Sequence, residues 1–187
     1  MNRLLILAGV LLLSACNQYT LVQPGLVEVQ QIAVSPTKPW NAAPPADRMG
    51  GYPTWTTDGV ILNSVTFFPA IKNGKPLFKS SRDNPYPVFT TDLLPNEIVE
   101  IVESSIAKEL GATISGSSGL KPLMIDGNPG FQSSFDFIAG DVPRRAFVAG
   151  AVKGEVLYLM LYQATDLYYY DKYLEDVMSM AAGMSLN

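Results

Sequence analysis

Residues 131–138 read Phe131-Gln132-Ser133-Ser134-Phe135-Asp136-Phe137-Ile138, and their alternation decides the fold. Successive side chains of a strand point to opposite sides of a sheet. Phe131, Ser133, Phe135 and Phe137 therefore share one face, and Gln132, Ser134, Asp136 and Ile138 the other. Working outward, Ala139 to Pro143 reads as a turn. Arg144 to Val152 reads as the next strand and Glu155 to Gln163 as the one after, joined by Lys153-Gly154. Upstream, Asp126-Gly127-Asn128-Pro129-Gly130 reads as a turn. Before it, Ala112 to Ser118 reads as a strand that Leu120 to Ile125 continues or replaces after a break at Gly119. Consecutive strands on short turns predict an antiparallel β-meander.

Two helices flank this run. Pro95 to Leu110 places Ile98, Ile101, Val102, Ser105, Ile106 and Leu110 on one face at helical spacing. Pro95 suits the first helical position, Glu97 and Glu100 suit the positive end of the helix, and Gly111 suits its stop. Asp166 to Met184 repeats the pattern with Tyr170, Tyr173, Leu174, Val177, Met180, Ala181 and Met184. Nearer the N-terminus, Leu26 to Val34 reads as a strand. Residues 35–51 hold Pro36, Pro39, Pro44 and Pro45 and end in two glycines, which predicts a proline-rich loop without strand or helix. Tyr52 to Gly59 followed by Val60 to Phe68 reads as a hairpin about Asp58-Gly59, Asn73-Gly74 as a turn, and 75–92 as irregular. The expected class is α+β, an antiparallel meander packed by two main helices.

The first sixteen residues carry a different message. Arg3 precedes an apolar run from Leu4 to Leu13, and Leu13-Ser14-Ala15-Cys16 follows. Ten apolar residues are too few to span a bilayer, which takes about 20, but they suit a signal peptide. Leu13-Ser14-Ala15-Cys16 resembles the lipobox of bacterial lipoproteins. That resemblance implies a diacylglyceryl group on the Cys16 thiol, cleavage before Cys16, and anchorage in a membrane through its acyl chains. Two or more chains anchor stably where one does not. Asn17, where Asp would favour inner-membrane retention, implies the periplasmic face of the outer membrane. The expected division is 1–15 signal peptide, 16–25 lipid-anchored tether, and 26–187 a single domain.

Composition excludes several classes of function. The 187 residues hold 13 basic and 17 acidic side chains, a formal charge of −4, and no basic stripe suited to nucleic acid. There is no histidine, and Cys16 is the one cysteine. Histidine-based triads, Cys-His pairs, disulfides within the chain and the usual zinc sites are therefore absent. Asp126 to Gly130 lacks the glycine and glutamate of a calcium loop at the sixth and twelfth positions, where Phe131 and Phe137 stand. Ser115-Gly116-Ser117-Ser118-Gly119 has no base to activate a serine and reads as a flexible bend. No cofactor and no metal is expected.

The residues left as a ligand or partner surface are Trp40, Tyr52, Trp55, Arg144, Arg145, Tyr168, Tyr169 and Tyr170. The rings form either an amphipathic rim or a division between core and surface. Arg144 and Arg145 are neighbours on a strand and point to opposite faces. They read either as strand-end charges paired with Asp136 or Asp141, or as anion recognition in a cleft.

The order of hairpin, helix, meander and final helix resembles the PsbP-like α/β/α sandwich group. More closely, Trp55-Thr56-Thr57-Asp58-Gly59, Phe131 after Pro-Gly, Leu157-Tyr158-Leu159 and Tyr170-Asp171-Lys172-Tyr173 look like a family of uncharacterised proteobacterial lipoproteins, over roughly residues 40 to 182. These resemblances imply fold and location and bring no activity. The expectation is a lipid-anchored envelope protein without evident catalysis, joined to the membrane through Cys16 and to an envelope protein partner. The alternative is a lipoprotein that binds a small apolar or aromatic ligand. A deep pocket lined by the rings would favour the ligand; a closed core would favour the partner.

Overall fold

The alternation around Phe135 extends over twelve residues in the computed structural model, which describes residues 18–187. Signal peptide, lipobox and Cys16 lie outside the described residues. In chain order the strands before the first helix are β1 (Thr20–Val22), β2 (Val27–Val29), β3 (Ile32–Val34), β4 (Trp40–Ala42), β5 (Thr54–Thr56), β6 (Asn63–Lys72), β7 (Lys75–Pro76) and β8 (Val88–Phe89). Then come α1 (Pro95–Leu110), β9 (Thr113–Ile125), β10 (Asn128–Ala139), β11 (Val142–Lys153), β12 (Val156–Thr165), α2 (Tyr169–Ala182) and β13 (Ser185–Leu186).

An 8-stranded antiparallel sheet runs in the order β1-β4-β5-β6-β12-β11-β10-β9. Its last four members in the chain are the expected meander. Phe131, Phe135 and Phe137 are buried on one face, with Phe68, Val148, Leu159 and Leu161, beneath Ile98, Val99, Val102 and Ile106 of α1. The other face carries Phe67, Phe147, Met160 and Tyr162 beneath Tyr170, Tyr173, Val177 and Met180 of α2. The three layers are those of an α+β, α/β/α sandwich. Burying one such phenylalanine stabilises the fold by about 1.5–3 kcal/mol, and both faces are filled this way.

Local chemistry explains the boundaries. Pro95 opens α1, and the Glu97 carboxylate accepts a hydrogen bond from the Leu94 N–H at 2.7 Å. Asp126-Gly127 takes positive φ at both residues, 50° and 72°, the geometry that folds β9 tightly onto β10. At Gly150 the strands come too close for any side chain. A Cβ there would lie 2.5 Å from the Tyr158 carbonyl oxygen and 2.4 Å from Leu159 Cδ2.

Several expectations give way. The segment expected as tether, 16–25, is partly structured: Thr20–Val22 pairs with β4 as an edge of the large sheet. Leu26–Val34 is a hairpin of β2 and β3 rather than one strand, because Gln30 turns back at φ 58°. With β13 it forms a 3-stranded sheet on the α2 side. The proline-rich loop contains β4 and two single 3-10 turns, Pro45–Asp47 and Met49–Gly51. Residues 57–62 form a loop, so the second arm of the hairpin starts at Asn63. The region 75–92 contains the short β7–β8 pair. β9 is continuous through Gly119, with its register against β10 shifting around Ser133 and again near Asp136. α2 starts three residues late because the Asp166 N–H still bonds the Pro143 carbonyl and Leu167 is wholly exposed.

Candidate functional site

The rings expected on a surface divide among three places. Trp40 and Trp55 are in the core on the α2 side, where Trp55 packs against Phe67 at 4.8 Å between centroids. Tyr170 is buried with them, stacked on Tyr162 at 5.4 Å. Tyr52 is half-buried on the α1 side, its hydroxyl donating to the Leu77 carbonyl at 2.6 Å. Only Tyr168 is freely exposed, with Tyr169 partly covered. Trp40, Trp55 and Tyr170 are thus corrected from surface to core: they supply the large apolar area that α2 needs to seat on the sheet. Among the described residues these rings do not converge on one depression; Tyr52 alone of them borders one, beside Leu77 and Phe78.

The two arginines do point to opposite faces. Arg144 is 8% exposed, donates to the Ile61 carbonyl at 2.6 Å and lies over the Phe137 ring. Its Nε has no partner, and burial pushes its guanidinium below the ordinary value. Arg145 faces outward between Asp136, Asp166 and Asp171 at 3.5, 3.6 and 3.4 Å, above the Tyr170 ring. The Asp136 pairing expected for a strand-end arginine is present. These contacts fasten β10, the β12–α2 loop and α2 together, and both guanidiniums are engaged within the fold.

Two carboxylates the sequence reading passed over organise the α2 side. Asp176 is 2% exposed and accepts from the Thr37 N–H at 2.7 Å, the Thr37 hydroxyl at 2.5 Å and the Trp40 indole at 2.8 Å. The signal was an acid in the apolar stripe, three residues after Tyr173 and four before Met180. Asp58 receives Tyr173 at 2.6 Å, Asn63 at 2.9 Å and Lys172 at 3.1 Å. It joins Trp55–Gly59 to Tyr170–Tyr173, the two segments singled out above. Burial opposes its ionisation, but the hydrogen bonds from Tyr173, Lys172 and Thr57 outweigh that and hold its carboxyl below the ordinary value. Among the described residues no group of three metal-ligating side chains comes together, and no helix is long and apolar enough to cross a membrane.

What the fold leaves open is the far edge of the sheet. β9 is 13 residues long, among the described residues pairs only with β10, and is exposed along most of its length. Its unpaired N–H and C=O groups form a template for another strand. Proteins guard such edges with charge, proline and bulges. β9 has bulges, Lys121 and Pro122, but Thr113 to Leu120 contains neither charge nor proline.

At the bulge the ladder is mended by side chains. The Ser133 hydroxyl donates to the Ser118 carbonyl at 2.9 Å, and the Ser118 hydroxyl to the Ser134 carbonyl at 3.1 Å. A depression opens on each face here, and both share Ser118, Gly119 and Ser133. On the α2 face it measures about 190 Å³ and is bounded by Phe147, Leu174, Met178 and Lys121. On the α1 face it measures about 340 Å³ and is bounded by Asn96, Glu100, Glu103 and Leu120. The half-buried Glu103 accepts from the Ser117 hydroxyl at 2.8 Å. Burial and then the neighbouring Glu100 charge raise its carboxyl, against the Ser117 hydrogen bond.

Among the solved structures to which the chain is similar are two from different bacteria. One is the solution structure of cyanobacterial PsbP (CyanoP) from Synechocystis sp. PCC 6803, at 9% identity and a TM-score of 0.47, covering 91% of this chain and 83% of that one. The other is the crystal structure of LpqN, involved in cell envelope biogenesis of Mycobacterium tuberculosis, at 11% identity and a TM-score of 0.38, covering 93% and 87%. No protein-family profile and no curated protein matches the chain. The α+β class rests on the sheet order and the two helical layers themselves.

Proposed function

We propose that this protein is a lipid-anchored module of the bacterial envelope that captures an extended segment of a protein partner along β9, without catalysing a reaction. The supporting observation is the contrast between the aromatic residues and the sheet edge. Trp40, Trp55 and Tyr170 are spent on the core, while a 13-residue strand keeps one side unpaired. Added strands gain affinity from main-chain hydrogen bonds and selectivity from pockets for alternate side chains. Anchorage at Cys16, with residence at the periplasmic face of the outer membrane, comes from the lipobox resemblance and Asn17.

The test is in-cell photocrosslinking with a benzophenone amino acid at Ser117, and at exposed Lys38 as control. The expected result is one dominant envelope protein joined from Ser117 and absent from Lys38. Equal crosslinking from both sites, or none from Ser117, overturns the assignment of β9.

A further inference from the structure

We infer that the segment taken up by β9 is a strand that places a basic side chain over Glu100 and Glu103 and an apolar one over Leu174 and Met178. This rests on the proposed use of β9 and specifies the chemistry of its partner.

Neighbouring residues of a strand project to opposite faces about 3.3 Å apart. The two depressions lie back to back at one level of the edge, because both are bounded by Ser118, Gly119 and Ser133. A strand laid along β9 at that level must therefore send one residue into each. They are chemically unlike. The α1-face depression presents two carboxylates, and among the described residues neither forms an ion pair. The one basic residue of α1's last turn, Lys108, is turned away onto the Pro85 carbonyl and the Tyr86 ring. The α2-face depression presents Phe147, Leu174 and Met178, and Lys121 stands beside it.

The arrangement selects by repulsion as well as attraction. An acidic side chain on the α1 face would meet Glu100 and Glu103, and a basic one on the α2 face would meet Lys121. A slip of one residue exchanges the two faces, so the charge split also fixes the register of the incoming strand. Glu103 already sits partly out of water beside the Glu100 charge, and a cation arriving there favours both carboxylates in their ionised form.

The test uses two fluorescein-labelled, amide-capped octapeptides, one alternating lysine with valine and one alternating glutamate with valine. Each is titrated by anisotropy against the full chain in mild detergent. The lysine peptide is expected to bind at least about tenfold tighter. Glu100→Lys with Glu103→Lys is expected to reverse the preference. Glu100→Gln with Glu103→Gln is expected to abolish it, each variant checked for native circular dichroism. Equal binding of both peptides, unmoved by the charge reversal but lost on Ser117→Pro, keeps β9 as the docking strand and overturns the basic partner. Binding of neither peptide overturns both.

Discussion

The indole N–H of Trp40 donates to the Asp176 carboxylate at 2.8 Å, tying the first long loop to the last helix across 136 residues of chain. The same carboxylate accepts from Thr37, so a buried anion is held by three donors. Removing it strands those donors, and removing one donor leaves the anion two. Asp176→Ala is expected to cost about 3 kcal/mol, and Trp40→Phe about 2–3 kcal/mol through the lost hydrogen bond to a charged acceptor and the void left by the smaller ring. Urea unfolding checks both. A change below about 0.5 kcal/mol for Asp176→Ala would remove this carboxylate from the account of stability.

Asp58 predicts a response to acid. Its carboxyl lies below 3.8 in the folded chain, so the unfolded state binds its proton first as pH falls. The stabilisation is complete above 3.8 and drains away as pH drops through the lower folded value. Thermal scans from pH 6 to pH 2.5 should show a loss of stability at the acid end that is smaller in Asp58→Asn. Identical acid profiles for the two proteins would contradict the assignment.

Gly150 predicts a packing failure. A methyl group there meets a backbone carbonyl at 2.5 Å, which cannot swing aside as a side chain can. Gly150→Ala is expected to destabilise by about 2–3 kcal/mol or to prevent folding. Gly154→Asn, in an open turn with φ 63°, is expected to be nearly neutral. Melting temperatures of the pair decide the matter.

Cys16 predicts location. Cys16→Ala is expected to abolish incorporation of radiolabelled palmitate and to move the protein out of the membrane fraction. Label entering the variant would show that the lipobox was misread.

The meander was legible because Phe131, Ser133, Phe135 and Phe137 fall on alternate positions and bounded turns separate the strands. α1 was legible to the residue, since Pro95 and Gly111 punctuate it. Less could be read where long-range partners decide the conformation. Trp40 becomes a strand residue because Val22 and Thr56 flank β4, and neither is near it in sequence. Nothing local marks Gln30 as a turn; it bends because β3 also pairs with β13 at the far end of the chain. Which aromatic residues are core and which are surface was not legible for a related reason. Composition counts rings, but only packing says whether a ring faces α2 or water. Asp58 and Asp176 depend on partners more than a hundred residues away. The free edge of β9 is a property of strand order, and no single segment displays it.

Strand order also sets a height. β1 lies at one end of the eight-stranded sheet and β9 at the other, seven spacings of about 4.8 Å away, or roughly 34 Å. Cys16 stands four residues before Thr20, a reach of at most about 14 Å. A molecule held by Cys16 would stand on its β1 side with the sheet as a rigid stilt, presenting β9 to the periplasm at a fixed distance from the lipid. Inserting residues directly after Cys16 would change that stand-off while keeping the Tyr19 hydroxyl on the Asp47 carboxylate.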